Sequence, residues 1–266
     1  MKLICPICGK ELALNQKTCG CENHHSFDMA RQGYVNLLTV QQKHSLLPGD
    51  TREQVLSRRA FLEEGYYAPI LNTLVETGQK YGFSGSLLDI GCGEGYYCAG
   101  LSEALSLSLT GLDISKEAVR CAAGKYKGPT WICATAAHIP VEDHSADLIT
   151  SLFALTLPDE FHRTLKKDGY FFQVLAAEDH LMGLKSVIYD ELHHKEKDLC
   201  PELEGFQLVE SIPIRFSLSL KGQQILNLFS MTPHVFRIGK DGADRLRSTD
   251  TLEDIASCIL NVYRPL

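Results

Sequence analysis

Between Ser86 and Val174 the chain switches repeatedly between short apolar runs and stretches in which apolar residues recur every three or four positions. Ser86-Leu87-Leu88-Asp89-Ile90 reads as a strand buried on both faces. It stops at Gly91-Cys92-Gly93-Glu94-Gly95, after which Tyr96-Tyr97-Cys98-Ala99-Gly100-Leu101 opens a helix. A second strand, 109–113, leads through Ser115, a capping residue type, into a helix expected over Lys116–Lys125. Further strands are expected at 130–134, 147–152 and 170–174, with a helix around 158–165 and a turn at Lys167-Asp168-Gly169. Strands joined by crossover helices imply a doubly wound parallel α/β sheet, in which ligands bind at the carboxyl ends of the strands. Upstream, 48–67 has helical spacing from Thr51 onward and carries Arg52, Arg58 and Arg59. A charged stretch of this kind is ordinarily a solvated face, with RNA contact as the functional alternative.

A strand, a glycine turn and a helix together can cradle a nucleotide. A phosphate loop needs Gly-Lys-Ser/Thr at the helix start, which this turn lacks. A dinucleotide fingerprint needs a glycine at position 96, where the ring of Tyr96 would obstruct close strand-to-helix packing. The remaining spacing, acid-x-Gly-x-Gly-x-Gly through Asp89, Gly91, Gly93 and Gly95, resembles that of S-adenosylmethionine-dependent methyltransferases. Asp113 ends the next strand 18 residues after Gly95, placed to accept both ribose hydroxyls of such a cofactor. His138, in a loop near that rim, reads as a solvent-facing histidine.

The front of the chain carries different chemistry. Cys5-Pro6-Ile7-Cys8-Gly9 places two thiolates on one turn, where Gly9 can take the positive φ that points backbone amides at sulfur. Cys19-Gly20-Cys21-Glu22-Asn23-His24-His25 supplies the other half of a tetrahedral zinc site. Spacing leaves Cys19 or Cys21, and His24 or His25, open as its two ligands. Four protein ligands leave no position for a reactive water, so the zinc is expected to be structural, folding a segment poor in apolar residues. A redox pair would need a strand-to-helix context that is missing here. The other six cysteines, Cys92, Cys98, Cys121, Cys133, Cys200 and Cys258, are scattered singly and read as small buried hydrophobes.

Composition narrows the class without changing it. With 266 residues, 44% hydrophobic and 22% charged, the chain suits one globular domain with a small satellite. No apolar run approaches the roughly 18 to 20 residues needed to span a bilayer, and the first residues run into cysteines rather than a signal-peptide core. A cytoplasmic protein without membrane contact is therefore expected. The net charge of −7 disfavours indiscriminate nucleic-acid coating. Up to Ser45, however, five basic residues oppose three acids, so that segment is +2 and the remainder −9. A polyanion would meet the front end first.

Taken together, several stretches resemble one family. They are Cys5-Pro-Ile-Cys8, Cys21-x-x-x-His25, Phe27-Asp28-Met29-Ala30-Arg31-Gln32-Gly33-Tyr34-Val35-Asn36-Leu37-Leu38, Arg58-Arg59-Ala60-Phe61-Leu62, and Leu88 through Tyr97. This combination is similar to the bacterial 23S rRNA (guanine-N1)-methyltransferases of the RlmA type. The likeness continues through His180-Leu181-Met182, Ile188-Tyr189 and Met231-Thr232-Pro233, nearly the whole chain. It implies a class I, Rossmann-like S-adenosylmethionine-dependent methyltransferase domain (81–266), a linker helical region (46–80) and a zinc-ribbon RNA-recognition module (1–45). It also implies Cys5, Cys8, Cys21 and His25 as the zinc ligands, cofactor contacts from Tyr67, Gly93-Glu94 and His180, and a 23S rRNA hairpin or large-subunit assembly intermediate as partner. A homodimer is left open. Where some relatives have an aromatic-Ala-Pro run beside the target base, this chain has Phe153-Ala154-Leu155. No general base is identified, and the lack of an Asn/Asp-Pro-Pro-aromatic run there disfavours exocyclic amine methylation. A small-metabolite methyltransferase and a non-catalytic rRNA-binding protein are the competing readings.

Overall fold

The computed structural model describes residues 1–15, 17–43, 48–192 and 196–266. The front segment forms a small antiparallel sheet of β1 (Leu12–Leu14), β2 (Thr18–Cys21) and β3 (Ser26–Asp28), followed by β4 (Tyr34–Asn36). Helices α1 (Arg52–Glu63) and α2 (Ala68–Tyr81) precede an alternation of β5 (Ser86–Ile90), α3 (Tyr96–Leu105), β6 (Ser108–Asp113), α4 (Lys116–Lys125) and β7 (Thr130–Cys133). Then come β8 (Ala146–Leu152), α5 (Pro158–Thr164), β9 (Leu165–Ala176) and α6 (Met182–Ile188). The chain ends with β10 (Phe206–Lys221), α7 (Gln223–Ser230), α8 (Lys240–Arg247) and β11 (Thr251–Pro265).

The eight-stranded main sheet has the order β10-β11-β9-β8-β5-β6-β7-β4. Its strands from β4 to β9 pair in parallel, while β11 runs antiparallel to both neighbours. Strand order reverses between β5 and β8, and the crevice at that switch point is where such a sheet binds its ligand. This is the doubly wound arrangement the alternation implies. The central strand explains why: every residue of Ser86–Ile90 is buried, so β-branched and leucine side chains cover both faces.

Local capping agrees with the spacing. Thr51 Oγ1 accepts from the Gln54 amide (3.3 Å) and Gln54 Oε1 accepts from the Thr51 amide (2.9 Å), closing a capping box that starts α1. Ser115 Oγ accepts from the Ala118 amide and starts α4.

One expectation needs correction. Lys167-Asp168-Gly169 is not a free turn: β9 begins at Leu165, and its register against β8 shifts between Ala146 and Leu148. The irregularity absorbs those residues while Lys166 binds the carboxylate of Asp147 at 2.8 Å. The front segment is tied into the main sheet. Its strand β4 pairs with β7, Ile4 donates to the Pro140 carbonyl (3.0 Å), and Leu3, Leu12, Val35 and Leu37 share a core with Leu88, Ile90, Leu112 and Ile132. A segment with so few apolar residues has no interior of its own and borrows the sheet's. The expected boundary at 45/46 lies outside the described residues. In the expected linker helical region, α1 and α2 bury Phe61, Leu62, Tyr67, Ile70 and Leu74 in the main core. No helix among the described residues is long and apolar enough to cross a membrane.

Candidate active site

At the carboxyl ends of β5, β6 and β8 lies a cavity of about 1420 Å³. Its floor is the glycine turn. Gly91 and Cys92 amides both donate to the Leu112 carbonyl, folding the turn back onto the end of β6. Gly91 (φ +75°) passes so close to Ala154 that an added Cβ would lie 2.7 Å from the Ala154 methyl. Gly95 (φ +91°) has the same constraint against Trp131, at 2.9 Å, and Tyr126. Both positions combine left-handed backbone with close approach, conditions only glycine meets without strain.

Carboxylates surround this turn. Asp89 is buried at the end of β5 and accepts from Thr150 Oγ1 at 2.5 Å; burial pushes its carboxyl up to about 6 against that bond. Asp113 accepts from the Ser115 amide (2.7 Å) on one oxygen and from the Gly93 amide (2.8 Å) on the other. Burial raises its carboxyl too, with those amides opposing. One lone pair on each oxygen remains for an incoming hydroxyl pair. Glu94, 2% exposed, is likewise raised by burial. Its Oε2 and the Tyr97 hydroxyl are buried atoms with no hydrogen-bond partner among the described residues. Arg58 pairs with Asp50 beside Gly93 and also lines the cavity. Arg58 therefore turns inward instead of presenting an RNA-facing charge.

The opposite wall joins remote parts of the chain. Tyr67, buried at the start of α2, has its hydroxyl 3.5 Å from His180 Nε2. The backbone N–H and carbonyl of Ser257 both lie within 3.1 Å of His180 Nδ1, so β11 pins the ring in either tautomer. Burial, reinforced by the charge of Lys185, lowers His180 to about 4 and keeps it neutral. The ring of Phe153 lies 6.1 Å from that of His180, 43% exposed at the mouth. Phe153 (φ +54°) and Leu181 (φ +55°) are non-glycine residues in left-handed backbone, and both line the cavity. Such strain concentrates at functional sites.

The structure thus brings together Tyr67, Asp89, Gly91, Gly93, Glu94, Asp113, His180 and Phe153 around one cavity, with Gly95 supporting the turn. His138 is exposed and is not among the lining residues, as its sequence context suggests. Sequence reasoning missed Asp50, Thr150, Tyr97 and a second pair, Tyr189 and His234, whose hydroxyl and Nδ1 are 2.9 Å apart in the same cavity. Burial and the charge of Lys185 lower His234, so it too is neutral at pH 7. Only the register between β5 and β8 could have revealed Thr150; Tyr97 and Tyr189 lie in stretches that carry the family resemblance, and no sequence signal marks Asp50 or His234.

S-adenosylmethionine fits this cavity. Its sulfonium and ammonium suit the glycine-turn wall, where Asp50, Asp89, Glu94 and Asp113 gather beside Arg58, while the cations Lys185, Lys197 and Arg237 lie elsewhere in the lining. The orphaned Glu94 oxygen and Tyr97 hydroxyl offer it unused partners.

The front segment forms a second centre. The ligand atoms of Cys5, Cys8, Cys21 and His25 all lie within 4.8 Å of one another. Cys8 and Cys21 sulfurs are 3.7 Å apart, and His25 Nδ1 is 3.5 Å from the sulfurs of both Cys5 and Cys21. A tetrahedron with zinc–sulfur bonds of roughly 2.3 Å has edges of about 3.8 Å, so a zinc ion fits this arrangement. Gly9 takes the expected positive φ (+72°), and the backbone amide of Lys10 lowers Cys8 to about 6. Cys19 instead faces the core, fully buried, and burial lifts it to about 11.

Two family models match the chain: an RlmA N-terminal zinc-ribbon model over residues 3–46 and a methyltransferase-domain model over residues 88–173. A Streptomyces fradiae 23S rRNA (guanine(748)-N(1))-methyltransferase is 32% identical, covering 99% of this chain and 97% of its own. A Bacillus subtilis (strain 168) protein, YxjB, provisionally named for a 23S rRNA guanine-N1 reaction, is 31% identical over 94% of each chain. Among solved structures, a SAM-dependent methyltransferase from Aquifex aeolicus aligns loosely, with a TM-score of 0.39 and 19% identity, covering 52% of this chain and 82% of that one.

Proposed function

Because this chain belongs to the family of 23S rRNA (guanine-N1)-methyltransferases, we propose that it transfers the methyl group of S-adenosylmethionine to ring N1 of a guanine in a hairpin of 23S rRNA. The observation that carries this reading is the cavity with two unlike walls, acidic glycine turn on one side and Phe153, His180 and Tyr189–His234 on the other. Tyr67, Asp89, Gly91, Gly93, Glu94, Gly95, Asp113 and His180 would hold the cofactor. When bound there, S-adenosylmethionine supplies an electrophilic methyl group on a good leaving group. The chain's part is chiefly alignment. Holding nucleophile and methyl in line is worth roughly 7 kcal/mol or more.

A neutral His180 adds no positive charge beside a sulfonium, and Phe153 offers its exposed face for stacking a guanine swung out of the RNA. The hydrogen on guanine N1 must leave as the methyl arrives. The Tyr189 hydroxyl and His234 Nδ1 lie 2.9 Å apart, and in the tautomer whose Nδ1 carries the proton the neutral imidazole would keep Nε2 as an acceptor. Cys5, Cys8, Cys21 and His25 would hold a structural zinc that orders the front segment for RNA recognition. Its substrate would place the protein in the cytoplasm with free 23S rRNA or an assembling large subunit.

Methylation at N1 removes the Watson–Crick donor and stops reverse transcriptase. Zinc-loaded protein and S-adenosylmethionine are therefore expected to produce one new stop at a guanine, in intact 23S rRNA and in the isolated hairpin containing it. No stop in intact rRNA would overturn the activity; a stop in intact rRNA without one in the hairpin would overturn the hairpin as sufficient partner.

A further inference from the structure

We propose that a second, smaller pocket between the front segment and α4 binds a phosphodiester of the RNA backbone through Arg59 and Arg120, with Lys125 beside them. This inference rests on the rRNA reading above. The pocket, about 260 Å³, is lined by Gln32 from the turn before β4, Arg59 from α1, and Arg120, Cys121, Gly124 and Lys125 from α4. Three cations thus face one small space.

The carboxylates facing them do not balance the charge. Glu63 Oε1 alone accepts from both Arg59 Nε (2.8 Å) and Lys125 Nζ (2.6 Å), and Glu117 accepts from Arg120 at 2.6 Å. Lys127 adds a further cation at the edge, with Nζ 3.3 Å from the Gln32 carbonyl. Counting Arg59, Arg120, Lys125 and Lys127 against Glu63, Glu117 and the buried Glu94 behind them, one positive charge is left over in a protein whose net charge is −7. The donors are also incompletely used. Arg120 Nε is buried without a partner, and the terminal nitrogens of Arg59 make no hydrogen bond among the described residues. Guanidinium groups with spare donors match the paired oxygens of a phosphate better than those of any neutral ligand.

Elsewhere in the front segment, Lys2 pairs with Glu11 at 2.8 Å and Lys10 with Glu22 at 2.9 Å, so its +2 charge resides in Lys17, Arg31 and Lys43 against Asp28. The seam pocket adds to that charge beside Gln32. Because Gln32 belongs to the front segment and Arg120 to the catalytic layer, one phosphate held there would fix the register of RNA across both.

The test compares full-length, zinc-loaded wild type with Arg120→Gln and the double variant Arg59→Gln/Arg120→Gln, using 23S rRNA as probe. Expected are a roughly tenfold rise in KM for RNA in the double variant and a slope of log K against log salt shallower by about 1. Expected too are unchanged kcat, zinc content and S-adenosylmethionine affinity, with partial recovery in Arg59→Lys/Arg120→Lys. An unaltered KM and salt slope would overturn the proposal. So would protection of the pocket by inorganic phosphate without any change in RNA binding, since the site would then serve a small anion. Folding is read independently from the thermal midpoint. The equilibrium Kd for RNA, measured beside KM without turnover, is expected to rise by the same factor in the double variant, so a protein that binds but never methylates would fail the functional reading and leave this result standing.

Discussion

The zinc centre and the cofactor cavity are built by opposite strategies. All four metal-binding side chains come from residues 5–25, a stretch with little apolar material, so the ion itself must supply most of the local folding energy. The cavity draws on side chains from Asp50 to Arg237, and the sheet that gathers them is held by a buried core that owes nothing to a ligand. Order in the first region follows from binding. In the second, binding follows from order.

The two regions nonetheless share an interior, since Leu3, Cys5 and Leu12 belong to the same core as Leu88 and Ile90 of the strand that leads into the glycine turn. The comparison is therefore open to a sharp challenge by removing the metal. Cys8→Ser is expected to empty the zinc site and to lower rRNA methylation more than 100-fold, with S-adenosylmethionine affinity changing by less than about 3-fold. Metal analysis and calorimetry on the same sample read both. Equal collapse of cofactor binding would mean that the shared core makes the regions one unit.

The converse substitution attacks the cavity. In Gly95→Val the side chain would enter the space of Trp131 and Tyr126 on a left-handed backbone, so cofactor affinity should fall by about 100-fold. Zinc content should stay at one per chain. A smaller effect is expected from Asp113→Ala, which leaves the Gly93 and Ser115 amides without their acceptor and removes the ribose partner. That should cost roughly 2 to 3 kcal/mol of cofactor binding by calorimetry, with Asp113→Asn recovering part of it.

The smallest effect is a pH dependence confined to the cavity. Burial raises Asp89 to about 6, so its carboxylate is charged above that pH and protonated below it. A cationic cofactor favours the charged form, so affinity should be full above pH 6 and fall as pH drops through it. For the cofactor-free protein the sign reverses. A carboxyl whose folded value lies above its unfolded one contributes stability below the unfolded value that is lost as pH rises through 6. Asp89→Asn should flatten both profiles without touching zinc binding.

What the sequence disclosed follows the same division. The zinc ligands and the glycine turn are contiguous, so their spacing encodes their geometry and only the choice between neighbouring cysteines and histidines needed more. Structure explains that choice: Cys19 points into the core from β2, while Cys21 turns to the metal side. The alternation of strand and helix up to Val174 was legible because parallel strands buried on both faces are nearly continuous apolar runs. The final hairpin of β10 and β11, separated by two helices, has no such local signature. Hidden with it was the role of Ser257 in fixing His180, a contact between residues 77 apart. Arg58 and Arg59 show the remaining limit. Adjacent and chemically identical, they diverge into the cofactor cavity and the seam pocket, a split set only by the helical turn of α1 against its neighbours.

The reaction itself is read most directly by mass spectrometry of nucleosides from 23S rRNA incubated with zinc-loaded protein and methyl-deuterated S-adenosylmethionine. Deuterated 1-methylguanosine from wild type, and none from Gly95→Val, is the expected result. Label on another guanine atom or another base, or no label at all from a protein that retains its zinc and binds the donor, would contradict methyl transfer to guanine N1.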